Sequence, residues 1–260
     1  MVSVLLLPFS AALGLVCGSF ANVLIHRLPR RESIAFPGSH CPACGTPIPW
    51  YLNVPVVSWL ALRGKCASCR ASISVRYPLV ELSLGLLFLA CAWTWGASAR
   101  AAWGSVFCLL CVSLGLIDLE HQILPDKLTY TGMVTGLAFA FARVGPPLPE
   151  ALAGMLAGAL IPAAVIGTYW LIRREEGMGW GDVKLLAMVG AFLGWKGMLL
   201  TLLAGAFLGS ILGGGYLLLS GRGRKTPLPF GTFLCAAALG SLFFGEAAWR
   251  WYAGLLMPRP

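Results

Sequence analysis

The chain has 260 residues, 58% of them hydrophobic and 11% charged, with a mean hydropathy of +0.80. A soluble domain carries roughly 25% charged residues, so this composition excludes one and makes the chain an integral membrane protein. The formal charge of +9 calls for a nucleic-acid partner only if the bias of basic residues toward cytoplasmic loops fails to account for it.

A helix that crosses a bilayer needs about 20 mostly apolar residues. On that rule, segments are predicted near residues 2–25, 78–98, 101–117, 128–147, 151–172, 183–195, 197–220 and 229–254. The first reads as a retained helix, because no basic residue precedes it and Val16 before Cys17 is not the small residue a cleavage site wants. The sixth is short, and its boundary falls at Gly194-Trp195-Lys196-Gly197. The expected fold is therefore an all-α polytopic membrane protein of about eight transmembrane helices with one small polar insertion. The divisions are a first helix at 1–25, a polar loop at 26–77 and a membrane core at 78–260, with no internal repeat.

Fourteen of the 19 Lys and Arg residues fall on the side of the long loop, and five fall opposite: Arg100, Arg143, Lys196, Arg250 and Arg259. This asymmetry predicts a cytoplasmic loop with both termini outside. It accounts for the net charge without nucleic acid and points to membrane lipid as the partner of the basic side.

Only ten acidic residues exist, and an ionisable group at membrane depth is a functional candidate by default. Asp118 follows an apolar run ending in Leu116-Ile117, and Asp182 precedes one beginning at Val183. A lone carboxylate at a helix end often just reaches into the interface. Asp182, however, lies in Gly177-Met178-Gly179-Trp180-Gly181-Asp182, where glycines admit a close backbone approach or a positive φ. It also opens a helix, whose dipole favours an anion. Two such groups brought together share one proton, which suits hydrolysis by an activated water. The three histidines have no nucleophile motif near them, and His121 is read as a loop residue.

In the polar loop, Cys41-Pro42-Ala43-Cys44 and Cys66-Ala67-Ser68-Cys69 are paired C-x-x-C motifs with the separation of a four-thiolate zinc site. Four thiolates complete a tetrahedral zinc, so the expected role of Zn2+ is structural. Cys108 and Cys111 share the spelling but lie in an apolar segment, where free thiols are ordinary packing.

The stretch Gly179-Trp180-Gly181-Asp182-Val183-Lys184-Leu185 resembles the G-x-G-D motif of intramembrane aspartic peptidases. Ile117-Asp118 through Leu124-Pro125-Asp126 resembles the partner motif of bacterial type IV prepilin peptidases. The same resemblance runs through Gly18 to Val23, Arg27-Leu28-Pro29, Pro37 to Cys44, Trp50-Tyr51, Val57 to Leu60 and Arg76 to Glu81. It implies a dual enzyme of the bacterial inner membrane, with its active site facing the cytoplasm. Such an enzyme cleaves the leader of type IV prepilins and type II secretion pseudopilins, then methylates the new N-terminus with S-adenosylmethionine. The resemblance makes Asp118 and Asp182 the catalytic pair, with Gly179 and Gly181 supporting, and leaves Asp126 outside it. Leu52 stands where members commonly carry an acidic residue. The alternatives are a peptidase that does not methylate and a non-enzymatic scaffold built on the zinc loop.

Glu81 reads either as an interface carboxylate paired with Arg76 or as a contact for substrate. Asn22 reads as interhelical glue, and Lys184 as an interfacial anchor on a different face from Asp182. Gly205, Gly209 and Gly213 recur every fourth position and predict close helix packing.

Overall fold

The computed structural model describes residues 5–174, 178–215 and 228–256. The tips of the first and seventh expected segments (2–4 and 216–220) lie outside these residues. So do Glu175, Glu176, Gly177, Arg222, Arg224, Lys225 and Arg259. The regular secondary structure of the described residues is helical, with two isolated β-bridges beside it. It divides into compact units Met1–Ser113 and Leu114–Pro260, with the boundary inside one helix, α4 (Ala99–His121).

The first unit is built on α1 (Leu6–Arg27) and α3 (Arg76–Trp95). They approach closely because α1 has no side chain at the contacts. A Cβ on Gly14 would stand 2.5 Å from the Leu84 carbonyl oxygen, and one on Gly18 would stand 2.5 Å from Glu81 Cα. The Asn22 amide donates across to the Tyr77 carbonyl at 3.1 Å, the interhelical role expected of it. Between the two helices lie a 3-10 turn, Trp50–Leu52, and the short α2, Val57–Ala61. Buried Arg27 closes the start of the loop by donating to the carbonyls of Ser33 at 3.0 Å and Pro37 at 2.7 Å.

The second unit holds the end of α4, then α5 (Asp126–Phe141), α6 (Leu148–Arg173), α7 (Trp180–Leu208) and α8 (Phe230–Leu256). A π-helical turn, Gly209–Gly213, follows α7. Among the described residues six helices are long and apolar enough to cross a membrane, with the whole of α7 and its following turn counted as one, so the protein is multi-pass. α5 has only 16 residues. The expected sixth and seventh segments are the two halves of α7, which breaks at Gly194 with φ 71° and ψ −179°.

That break reverses the chain. A straight helix would separate residues 181 and 209 by about 42 Å. Instead Leu124 packs against both Gly181 and Gly231, while Gly209 packs against Phe230 and Phe233, which brings both ends of α7 to one end of α8. The second arm then runs antiparallel to α8 through Trp195–Trp249, Thr201–Ser241 and Gly205–Leu234 contacts. Gly205, Gly209 and Gly213 give the close packing expected of them, against α8 and Leu228.

The first arm packs on α6 through glycines on both sides. Added Cβ atoms on Gly190 and Gly158 would collide with the Gly154 and Leu186 carbonyl oxygens, and one on Gly154 would stand 2.5 Å from Gly194 C. Gly190→Ala therefore sets a helix-propensity gain of about 1 kcal/mol against a backbone collision that no rotamer relieves. Overpacking of this kind costs about 1–3 kcal/mol. The collision should win, and thermal unfolding of the variant in detergent should show a lowered midpoint.

A candidate active site and a candidate metal centre

The end of α4 and the start of α7 deliver the two expected carboxylates to one place. Asp118 lies in the last turn of α4 and Asp182 in the first turn of α7, exposed by only 6% and 7%. They line a single cavity of about 310 Å³ with Leu124, Gly179, Gly181 and Lys184 among its other walls, and each lies within electrostatic reach of the other. Residues 64 positions apart in sequence thus meet.

Gly181 works by close approach, since a Cβ there would stand 3.1 Å from the Leu124 side chain. Gly179 caps α7 with an extended backbone, φ −78° and ψ 144°, so the positive φ allowed for this stretch is not used at either cavity glycine. The Gly179 carbonyl accepts the Asp182 amide at 3.1 Å.

Two further participants come from α8, and sequence reasoning did not single them out. The Thr232 amide donates to Asp118 Oδ2 at 2.7 Å, and the Thr232 hydroxyl lies 3.1 Å from the same oxygen and 2.9 Å from the Gly115 carbonyl. One hydroxyl proton serves two acceptors, while the amide is committed to Asp118. The Gly231 amide also bonds to Asp118, and a Cβ at Gly231 would stand 3.0 Å from Asp118 Cγ. The first turn of α8 therefore presents N–H groups to an acid, the arrangement that favours negative charge at a helix start.

Lys184 is more than an anchor. Its ammonium lies 2.6 Å from Asp126 Oδ1 and 5.6 Å from the centre of the Tyr130 ring, and it forms part of the cavity wall. Asp126, in the first turn of α5, is thereby turned toward Lys184. His121 is the last residue of α4 rather than a loop residue.

In the first unit, Glu81 is 7% exposed. Its Oε2 accepts the Val56 amide at 2.7 Å, and Ser19 also hydrogen-bonds to it. Cys108 lies 4.0 Å from Cys91 Sγ within the buried helix packing.

The four loop cysteines converge, with all four sulfurs within 4.8 Å of one another. Zinc bonded to thiolates at about 2.3 Å in a tetrahedron spaces its sulfurs about 3.8 Å apart. Cys41 and Cys69 stand at 3.9 Å, so the donor set fits the metal. The two halves are one turn used twice, 25 positions apart in the sequence. Cys41 and Cys66 amides donate to Thr46 and Ala71 carbonyls, Gly45 and Arg70 return to Cys41 and Cys66, and Ile48 and Ile73 close on Ser39 and Gly64. Both turns need a positive φ after the second cysteine, supplied by Gly45 at 70° and Arg70 at 61°. The repeat escapes a sequence search because these backbone bonds make few demands on side chains.

Without metal the four thiols differ. Hydrogen bonds from the Thr46 hydroxyl and amide hold Cys44 down at about 6. Cys69 is pushed up to about 11, because the Ala71 amide that holds it down is outweighed by desolvation and the neighbouring thiols. At pH 7 Cys44 is thus largely thiolate and Cys69 is not, and the thiolate is the nucleophile. Iodoacetamide mapping of the metal-free protein should show Cys44 modified first and Cys69 last, with Cys44 labelling declining below pH 6.

The sequence of this chain matches two family descriptions: residues 12–95 match the bacterial peptidase A24 N-terminal domain, and residues 105–214 match the type IV leader peptidase family. A prepilin leader peptidase/N-methyltransferase of Aeromonas salmonicida is 37% identical over 273 residues, covering 94% of this chain and 92% of that protein. Proteins of the same description from Pseudomonas aeruginosa and Myxococcus xanthus are 39% and 44% identical. The first alignment covers 92% of this chain and 91% of the relative, and the second covers 82% and 64%. No solved structure gives a significant match.

Proposed function

Because this chain belongs to the type IV leader peptidase family, we propose that it cleaves the leader peptides of type IV prepilins and type II secretion pseudopilins and N-methylates the new terminus. The observation that carries the reading is the meeting of Asp118 and Asp182 at one cavity, each on the terminal turn of its own helix.

In this mechanism one carboxylate is ionised and takes a proton from a water molecule held between the pair. The other, protonated, donates to the carbonyl oxygen of the scissile bond as the water attacks. The tetrahedral intermediate collapses when the departing nitrogen gains a proton, and the dyad returns to its singly protonated state. No covalent intermediate is needed. Thr232 and Gly231 hold Asp118 in place with donated hydrogen bonds, Gly181 lets the start of α7 come up against Leu124, and the Asp126–Lys184 pair ties α5 to the start of α7.

Cys41, Cys44, Cys66 and Cys69 would hold zinc, which would fix the fold of the loop and, with four thiolates bound, have no ligand position left for chemistry. S-adenosylmethionine is the methyl donor. The excess of basic residues on the loop side supports a cytoplasmic loop and carboxylates, and the leader peptidase reading assigns the bacterial inner membrane.

The test is incubation of the purified enzyme with a prepilin and methyl-labelled S-adenosylmethionine. A shortened pilin carrying label on its new N-terminus is expected. Cleavage without label would remove the methyl-transfer half, and an intact pilin would reject the reading.

A further inference from the structure

The first unit contains a segment whose surface and depth do not suit water. Glu81 is the sixth residue of α3, so it lies roughly 7 Å along the axis from the helix start. Its bond to the Val56 amide therefore holds residues 50–61 beside the first turns of a helix that crosses the membrane. At that level the segment turns outward large apolar groups: Trp50 is 83% exposed, Val57 61% and Leu60 62%. Val75, just before α3, and Leu79 on it are exposed as well, so the apolar surface extends from the segment onto the helix.

The backbone is prepared for such a place. Irregular chain at membrane depth must satisfy its own polar groups. From Leu52 to Ser58 every N–H has an acceptor. Leu52 and Asn53 donate to the Pro49 and Trp50 carbonyls, and Val54 donates to the Ser58 hydroxyl oxygen. Val56 is taken by Glu81, Val57 and Ser58 donate to Pro55 and Val54, and Pro55 has no N–H to satisfy. Val56 holds φ 62° and ψ −50°, a γ-turn that is strained for a β-branched residue and requires its surroundings to enforce it. Charge points the same way: residues 27–76 carry seven Lys or Arg and a single acidic residue, Glu32. Aromatic and apolar side chains beside basic ones are the composition of an element lying in the plane of an anionic lipid interface.

We infer that residues 50–61 form an interfacial element, its Trp50, Val57 and Leu60 side chains inserted among the acyl chains and its neighbouring basic residues on anionic headgroups. The zinc-binding turns are then carried just above the lipid surface. Glu81 is the positioning residue that sets the depth.

The experiment uses the full chain in nanodiscs of phosphatidylcholine with phosphatidylglycerol. Photoreactive benzoylphenylalanine is placed, one position at a time, at Trp50, Val57, Ala43 and Ala67, the last two lying in the zinc-binding turns. After irradiation, mass spectrometry of the crosslinked peptides should find lipid adducts at 50 and 57 and none above background at 43 and 67. Their yield should fall when phosphatidylglycerol is omitted or Glu81 is replaced by Ala. Adducts to another part of the chain, to a second copy or to added prepilin in place of lipid would overturn the proposal, as would equal lipid labelling at all four positions. Zinc content and prepilin cleavage in the same discs confirm that each variant is folded, and loss of cleavage alone would bear on the enzymatic reading, not on this one.

Discussion

Replacing Asp182 with Asn should lower leader cleavage by about 10²–10⁴-fold or more, the usual worth of a positioned proton-transfer group. The substitution keeps the size and shape of a side chain that is only 7% exposed, and an amide oxygen can still accept a hydrogen bond. What it removes is the ability to exchange a proton with water or with the scissile carbonyl. Asp118→Asn should fail to the same degree, although the Thr232 and Gly231 amides keep an oxygen acceptor in place. The two losses should not multiply, because members of one proton-sharing unit are not independent. The double variant should resemble either single one. Conversion of prepilin to the shortened form, followed by gel mobility, reads the effect, while methyl transfer to a pre-cleaved pilin should continue. Wild-type cleavage by either Asn variant would remove the dyad from the mechanism.

Removing the metal should produce the largest structural effect. The loop has almost no apolar interior of its own, with Cys41 and Cys66 its buried side chains at the knuckles, so a zinc ion on the four cysteines would supply the folding energy of the two turns. Structural zinc contributes about 10–16 kcal/mol in isolated finger peptides. Even a fraction of that makes the amides of Cys41, Gly45, Cys66 and Arg70 exchange with solvent at least roughly 10³-fold faster after chelation or in Cys41→Ser and Cys66→Ser variants. The amides of α1 and α3, which pack through Gly14 and Gly18, should keep their protection. Hydrogen exchange with mass spectrometry checks this, and unchanged zinc content in both serine variants would refute the site.

Much of this was legible from residue types and spacing. The two aspartates at helix ends and the paired cysteines could be read because each has a local signature: a carboxylate bordering an apolar run, a C-x-x-C with its turn. Thr232 and Gly231 could not, since they lie 114 and 113 positions beyond Asp118, where a glycine and a threonine at a helix start look like any other cap. The partners of Lys184 were hidden for a different reason. Two positions from Asp182 does mean another face, but Asp126 and Tyr130 stand beside that face and the long side chain reaches them along the cavity wall. The break at Gly194 was visible as Gly194-Trp195-Lys196-Gly197, yet its direction was not. A glycine with positive φ reads the same whether the next helix continues or turns back, and only the contacts with Leu124 and α8 decide.

The reversal at Gly194 also sets a length. The first arm, 180–193, reaches about 21 Å, against a hydrocarbon layer of about 30 Å. A bilayer meets a deficit of that kind by thinning beside the short element, at a modest cost per ångström. With the active site at the cytoplasmic face as proposed, such thinning would set Asp182 below the surrounding lipid surface, where a peptide bond can meet water without leaving the depth at which the rest of its helix remains in oil.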